Sequence, residues 1–265
     1  MQSAIDGSNV CVFAYGQTGS GKTHTMLGSD QCRGLVFRSI DKIFETKKSI
    51  EADSKSPYSV SLSVEMLEIY NEKVNNLLSK SADELVVSEG EVVGSRVVKV
   101  KSPADVSKIL SIAQNRRATK ATNSNDTSSR SHMIFTVVID VVHGSDVNLN
   151  RTGRLHVCDL AGSERLSKSK SNESKELLNE TQAINTSLLT LSNVVEKLQK
   201  GGDHVPFRDS KLTYLLQNSL GNDSKTLAIV CCSPVPGSWN ESLCSLRFAS
   251  KVNRVELQKE TKISV

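Results

Sequence analysis

No apolar run in this chain approaches the roughly 20 residues that a membrane helix requires, and "LAIVCC" is among the longest. The N-terminal "MQSAIDGSN" does not join a basic stretch to an apolar core, so no secretory leader is expected. The six cysteines (Cys11, Cys32, Cys158, Cys231, Cys232 and Cys244) form no C-x-x-C pair and mostly lie in apolar segments. That pattern favours buried, reduced thiols in a cytosolic or nuclear protein over disulfides or zinc. Aromatic residues make up 4% of the chain and none interleaves with the basic positions, which ranks nucleic acid low as a partner. There is no internal repeat, no low-complexity tract and no clear linker. What remains is ordinary for a globular protein: 37% hydrophobic and 23% charged residues in 265, read as one domain over residues 1–265. A net charge of +4 permits an acidic partner without demanding one.

Against these shortages stands "GQTGSGKT", Gly16 to Thr23. It matches G-x-x-x-x-G-K-[ST], a loop that holds nucleotide phosphates on backbone N–H groups. Gly16, Gly19 and Gly21 allow the backbone to approach an anion. Lys22 brings a point charge to the outer phosphates and Thr23 a hydroxyl to Mg²⁺. The apolar "NVCVFAY" before the loop reads as a buried strand, and "KTHTM" after it as the start of a helix whose positive end faces the phosphates. Gln17, Thr18, Ser20 and His24 complete the expected nucleotide contacts.

Strand-like and helix-like segments alternate along the rest of the chain, as in an α/β sheet domain. "GLVFRSIDKIFET" has helical period, with Leu35, Ile40, Ile43 and Phe44 as its apolar positions. "YSVSLSVEMLEIY" alternates from Val60 to Met66 and slips phase at Leu67, which predicts a long strand with a bulge. "LVVSEGEVVGSRVVKV" predicts short hairpin strands. Ser102, Pro103 and Asp105 open a helix as cap, first helical residue and capping acid. "SHMIFTVVIDVV" and "RLHVCDL" are strands, and a long helix from about Glu173 to Gln199 is stopped by Gly201-Gly202. The helix "SKLTYLLQNSL", the strand "TLAIVCCSP" and a closing helix from Glu241 follow.

A phosphate cradle needs an acid that orients the metal and a group that senses the γ-phosphate. "RLHVCDLAGSE" offers both: Asp159 at a strand end for the water shell of Mg²⁺, and the Gly162 N–H for the γ-phosphate. No N-K-x-D is present to read guanine, which disfavours a GTPase.

The order GQTGSGKT, N-x-x-SSRSH (from Asn125), DLAGSE resembles the motor domain of the kinesin family. "EIYNEKVNNLL", "INTSL" and "VPFRDSKLTYLLQNSLGNDSKT" resemble further segments of that family, so the likeness covers nearly the whole chain. It implies a P-loop NTPase fold with a central mixed, mostly parallel sheet flanked by helices on both faces. It also implies a microtubule-stimulated ATPase that uses ATP and Mg²⁺, in the cytoplasm on microtubules. By the same resemblance SSRSH is the first switch loop, with Ser129 a Mg²⁺ ligand in the closed state and Ser128 touching the attacking water or the γ-phosphate. DLAGSE is the second switch, and Arg130 and Glu164 form the ion pair that closes behind the γ-phosphate. Glu164 then helps move the proton of the lytic water, beside Lys22 and Ser128.

The microtubule face of the family corresponds here to Lys168, Lys170, Lys175, Lys197, Lys200, Arg208 and Lys211. Thr186 stands where relatives usually carry a Lys, and "KSKSN" (Lys168 to Asn172) stands where glycine is usual. "FASKVNRVELQ" resembles the end of the C-terminal-motor kinesins, and dimerisation is expected through a coiled coil outside this chain. The resemblance also places two strands, one with an adenine-contact motif, and a helix ahead of the P-loop. "MQSAIDGSN" resembles only the end of that helix. The chain is therefore read as a fragment, a truncated gene product or an incomplete sequence, with "TLAIVCC" expected as an exposed apolar edge. An alternative follows: a microtubule-binding module whose ATPase is impaired.

Overall fold

The computed structural model describes residues 1–29, 31–79, 84–121, 129–164, 175–201, 204–221 and 224–255. A short helix, α1 (Gln2–Ile5), leads into strand β1 (Asn9–Tyr15) and helices α2 (Lys22–Met26) and α3 (Leu35–Ala52). Strands β2 (Tyr58–Tyr70) and β3 (Lys73–Asn76), then β4 (Val86–Ser88), β5 (Glu91–Val93) and β6 (Val98–Val100), precede helix α4 (Pro103–Ala121). Strands β7 (His132–His143) and β8 (Arg151–Asp159) are followed by helices α5 (Lys175–Lys200) and α6 (Lys211–Leu220). Strand β9 (Lys225–Val230) and helix α7 (Trp239–Asn253) close the described chain. No helix among the described residues is long and apolar enough to cross a membrane.

The main sheet runs β3-β2-β7-β8-β1-β9, with β6 also paired to β2. It is mixed, as expected, but parallel pairing is confined to β8-β1 and β1-β9 among the described strands. The pairs β2-β3, β2-β6, β2-β7 and β7-β8 are antiparallel. The expectation of a mostly parallel sheet is corrected: β7 returns directly into β8 through a short connection, and β2 lies antiparallel to β7 although β3 to β6 and α4 stand between them in the chain. The second sheet is the hairpin β4-β5.

Alternation along the strands divides the apolar side chains between two cores. Val10, Val12 and Ala14 of β1 join Ile40, Ile43 and Phe44 of α3 and Val106 and Leu110 of α4 on one face. Cys11 and Phe13 join Leu188, Leu191 and Val195 of α5, Leu212 and Leu216 of α6 and Phe248 of α7 on the other. Phe248 stacks on Tyr15 with ring centroids 4.0 Å apart, and burying such a ring stabilises by about 1.5–3 kcal/mol. Gly153 lets α1 lie against β8, since a Cβ there would come within 1.8 Å of the Ala4 carbonyl oxygen. Ser102 and Asp105 cap α4 reciprocally, through Asp105 N–H to Ser102 Oγ (3.2 Å) and Ser102 N–H to Asp105 Oδ2 (3.0 Å).

The bulge expected at Leu67 is absent. Register from Tyr58↔His143 to Ile69↔His132 is unbroken. The phase slip marks the point where both faces of β2 become buried: Met66 enters the core under α3 and α4, and Leu67 and Ile69 enter the core under α5 and α6. The cysteine expectation holds for half the set. Cys11, Cys158 and Cys231 are buried, whereas Cys32, Cys232 and Cys244 are exposed. The exposed three lie in a loop, just beyond a strand end and on the outer side of α7, where a locally apolar sequence does not bring burial. Strand β9 has β1 on one side and no strand partner on the other among the described residues, and Leu227 on it is 55% exposed.

His156 on β8 bonds Thr136 of β7 through Nδ1 (2.9 Å), and burial pushes its pKa down to about 4. His132 is likewise pushed down to about 3 by burial, with the Arg117 and Lys22 charges adding to the shift. Both rings are neutral in the fold but take a proton near pH 6.5 when unfolded. The unfolded chain therefore binds more protons between pH 6.5 and about 4, so stability is complete above that window and falls with pH inside it. Each ring contributes a slope of about 1.4 kcal/mol per pH unit. Urea unfolding between pH 7 and 4.5 should show His156→Gln flattening this acid limb by one proton, and an unchanged slope would refute the neutral buried ring.

Candidate nucleotide site

The register of the sheet assembles the site. Ala14 at the end of β1 lies beside Asp159 at the end of β8, and Asp159 lies beside Met133 at the start of β7. Because β8 runs parallel to β1 but antiparallel to β7, the loop after β1, the loop after β8 and the residues before β7 meet at one edge. Ligands bind at such an edge, beyond the carboxyl ends of parallel strands.

Gly16, Gly19 and Gly21 all hold positive φ, at 153°, 75° and 97°. Gly16 is also hemmed in: a Cβ would fall 2.1 Å from the Cys231 carbonyl oxygen, so no larger residue fits beside β9. Lys22 turns back under the loop and donates to the carbonyl oxygens of Gly16 (2.8 Å) and Gln17 (2.9 Å). Burial pushes its pKa below the ordinary lysine range, while the charges of Asp159 and Glu164 pull it back. The cleft above has a volume of about 230 Å³ and is lined by Thr18, Gly19, Gly21, Lys22, Thr23, His24 and Ser129. Gln17 Nε2 donates to Ser238 Oγ at the foot of α7 (3.0 Å), and Ser20 has a buried hydroxyl beside the loop.

Thr23 Oγ1 donates to Asp159 Oδ2 at 2.6 Å, while Asp159 Oδ1 is buried without a hydrogen-bond partner. Burial raises the Asp159 pKa, opposed by the Thr23 hydroxyl and the Arg117 and Lys22 charges. A buried carboxylate oxygen left unpaired is costly. A hydrated Mg²⁺ between Thr23 and Asp159 would satisfy it, and hard oxygen donors suit that ion, so the residues fit the metal.

The switch residues are found close together but with partners other than those expected. Glu164 accepts from the Thr18 N–H (2.8 Å) and the Thr18 hydroxyl, so it is lashed to the phosphate loop. Arg130 does not meet Glu164; its Nη1 donates to Glu180 of α5 at 3.1 Å, and the Tyr70 hydroxyl donates to the same carboxylate. The Arg130–Glu164 pair expected on closure behind the γ-phosphate is not formed in this arrangement, where each member has another partner. Burial and the Glu180 hydrogen bond push the Tyr70 pKa up to about 12. The Gly162 N–H donates to the Ser129 carbonyl (3.0 Å), and therefore points at the other switch rather than into the cleft. Ser128 lies outside the described residues.

Beneath the first switch, Arg117 of α4 donates to Ser131 through Nη2, to Oγ at 2.9 Å and to the carbonyl oxygen at 3.0 Å. Its Nε lies 3.4 Å from Glu68 Oε1, which also accepts from Ser131 Oγ at 2.9 Å. Sequence reasoning passed over Glu68, Arg117, Glu180 and Tyr70 as site residues. The one readable signal was Glu68, a carboxylate in the apolar run "EMLEIY".

On the expected partner face, Lys168 and Lys170 lie outside the described residues, as does the side chain of Lys175 at the start of α5. Lys197, Lys200 and Arg208 are exposed and Lys211 is half-buried. Lys200 is paired with Glu196 at 2.7 Å, and Glu196 also meets Lys251 at 3.0 Å. Arg208 lies 5.5 Å over the Tyr214 ring. The Lys211 N–H, at the start of α6, donates to Glu72 Oε2 at 2.7 Å.

A family model described as the kinesin motor domain matches residues 1–255. The chain belongs to the kinesin motor-domain family. Kinesin-like protein KIN-14M of Arabidopsis thaliana is 46% identical over 276 residues, spanning 97% of this chain and 36% of that protein. The chain thus spans a little over a third of the length of the curated relatives it matches. A solved fast kinesin, studied for its ATPase mechanism and interactions with microtubules, superposes with a TM-score of 0.84 at 36% identity, covering 100% of this chain and 78% of that one. The C-terminal motor and motor homology domain of Kar3Vik1, fused to a synthetic heterodimeric coiled coil, gives 0.82 at 39% identity over 95% of this chain and 65% of that one. The kinesin fold explains why the phosphate loop and both switch motifs share one edge of the sheet.

Removing Arg117 would leave Glu68 buried with its cation gone. Arg117→Met is expected to cost about 3–5 kcal/mol in chemical denaturation, with Glu68→Gln in the same chain restoring part of it. Equal stability of the single variant and the parent would show that the pair does not support Ser131.

Proposed function

We propose that this chain is the ATP-hydrolysing core of a microtubule motor. The observation that carries the reading is the cleft itself, where a buried Lys22, the Thr23–Asp159 pair with an unpaired carboxylate oxygen, and Glu164 on Thr18 converge. Lys22 and the loop N–H groups neutralise the outer phosphates of ATP. Thr23, Ser129 and Asp159 would hold Mg²⁺, which supplies charge stabilisation to the transferring phosphoryl group. Phosphoryl transfer asks for positioned charge and an oriented water more than for covalent help, and Ser128, Arg130 and Glu164 supply these. Closure on the γ-phosphate exchanges partners: Glu164 leaves Thr18, Arg130 leaves Glu180, and the two pair with each other. In the same step the Gly162 N–H turns from Ser129 to the γ-phosphate.

Tubulin is acidic, and the exposed basic groups on and beside α5 and α6 suit it as the partner that stimulates turnover. The motor acts in the cytoplasm on microtubules. Dimerisation through a coiled coil outside this chain is in keeping with the fused Kar3Vik1 heterodimer.

Two mutations separate binding from chemistry. Lys22→Ala is expected to abolish nucleotide binding in a fluorescent-nucleotide titration. Glu164→Ala should keep binding and lose about 10²–10³-fold in turnover, the scale of removing one preorganised polar group. Near-normal hydrolysis by the second variant would leave Glu164 a purely structural group.

The partner face is tested by the double change Arg208→Ala with Lys211→Ala. Cosedimentation should show weaker microtubule affinity at low salt, with the difference shrinking as salt rises, since each exposed charge contributes under about 1 kcal/mol. Salt-independent binding of the parent would refute an electrostatic interface.

A further inference from the structure

His132 directly follows the SSRS residues of the first switch, yet its ring is turned away from the cleft and is only 3% exposed. Nδ1 accepts from the Ala161 N–H of the second switch at 3.0 Å. A backbone N–H can only donate, so Nδ1 carries no proton and the ring hydrogen sits on Nε2. Nε2 lies 2.8 Å from Ser187 Oγ in the middle of α5, and Ser187 Oγ donates onward to the Ile184 carbonyl oxygen at 2.8 Å. The whole chain therefore has one direction: Ala161 N–H to Nδ1, Nε2–H to Ser187 Oγ, Ser187 O–H to Ile184. Burial keeps the ring neutral, so that direction cannot be reversed by protonation near neutral pH.

We propose that His132 is the positioning residue through which α5 senses the phosphate end of the cleft. The His132 backbone continues the SSRS run, while its buried ring touches Ala161 through Nδ1 and Ser187 through Nε2. A shift of Ala161 when the second switch rearranges must either drag the ring or break the 3.0 Å bond. The pocket beside Ile184 and Ser187 has a volume of about 10 Å³, room for no more than one water, so the ring is packed on that side. The Arg130–Glu180 contact grips the same helix seven residues earlier, but it is only partly buried and is released on closure in the reading above. The His132–Ser187 bond, buried on both sides, is the one able to persist through closure and carry displacement into α5. This inference rests on the motor reading for the identity of α5's partner, but not for the contact itself.

The test compares the parent chain with His132→Asn and Ser187→Ala, each with ADP and with a non-hydrolysable ATP analogue. Asn keeps an acceptor for the Ala161 N–H but cannot reach Ser187, and Ser187→Ala removes the same bond from the helix side. Amide hydrogen exchange over residues 183–190 should differ between the two nucleotides in the parent, and this difference should vanish in both variants while nucleotide affinity is kept. Microtubule stimulation of turnover should fall about tenfold, the scale of one buried hydrogen bond, with basal turnover unchanged in Ser187→Ala and no further loss of stimulation in the double variant. Ser187→Ala is the smaller change and decides the matter if His132→Asn unfolds. Affinity, basal turnover and melting temperature falling together would overturn the proposal, because the ring would then only pack. An absent nucleotide effect in the parent, or one retained in both variants, would overturn it as well. A parent that binds nucleotide without microtubule stimulation would instead remove the motor reading, and the exchange comparison would still decide the role of His132.

Discussion

The structure depends on one reversal of strand direction. β8 runs parallel to β1 and antiparallel to β7, so the end of β8 and the start of β7 lie at the same edge as the phosphate loop. A fully parallel sheet would carry the start of β7 to the opposite end, away from Asp159, and the two switch motifs could not share a cleft. Everything that gives the site its chemistry follows from Ala14, Asp159 and Met133 lying side by side.

Around that edge, charge is held by burial and by competition for partners. Lys22 is drawn under the loop by two carbonyl oxygens, and Asp159 keeps one carboxylate oxygen unpaired. Glu164 and Arg130 are each bound to a group other than the expected one, at contacts that are only partly buried. These contacts are more exposed than the Glu68–Arg117–Ser131 cluster below them, which is deeply buried and costly to break. The buried cluster holds Ser131 in place just before β7.

Much of this was legible from residue order. The glycines of GQTGSGKT, the apolar strand before them and the capping set Ser102-Pro103-Asp105 specify local backbone, and local backbone needs no distant partner to be read. The binary pattern likewise located strands and helices well. It misread Leu67 because alternation reports burial of one face, and a strand buried on both faces loses its period without losing its register. It overstated the burial of Cys232 and Cys244 because an apolar neighbourhood in sequence is not a covered position in space.

What the sequence determined by itself was the chemistry on offer: the GQTGSGKT loop and the SSRSH and DLAGSE runs, each recognisable because it is short and contiguous. What only the tertiary structure decided was pairing. Arg130 to Glu180, Glu164 to Thr18, and His132 between Ala161 and Ser187 join residues separated by 50, 146, 29 and 55 positions. Partners at such separations are chosen by strand register and helix packing, which bring side chains within about 3 Å only after the whole sheet has formed.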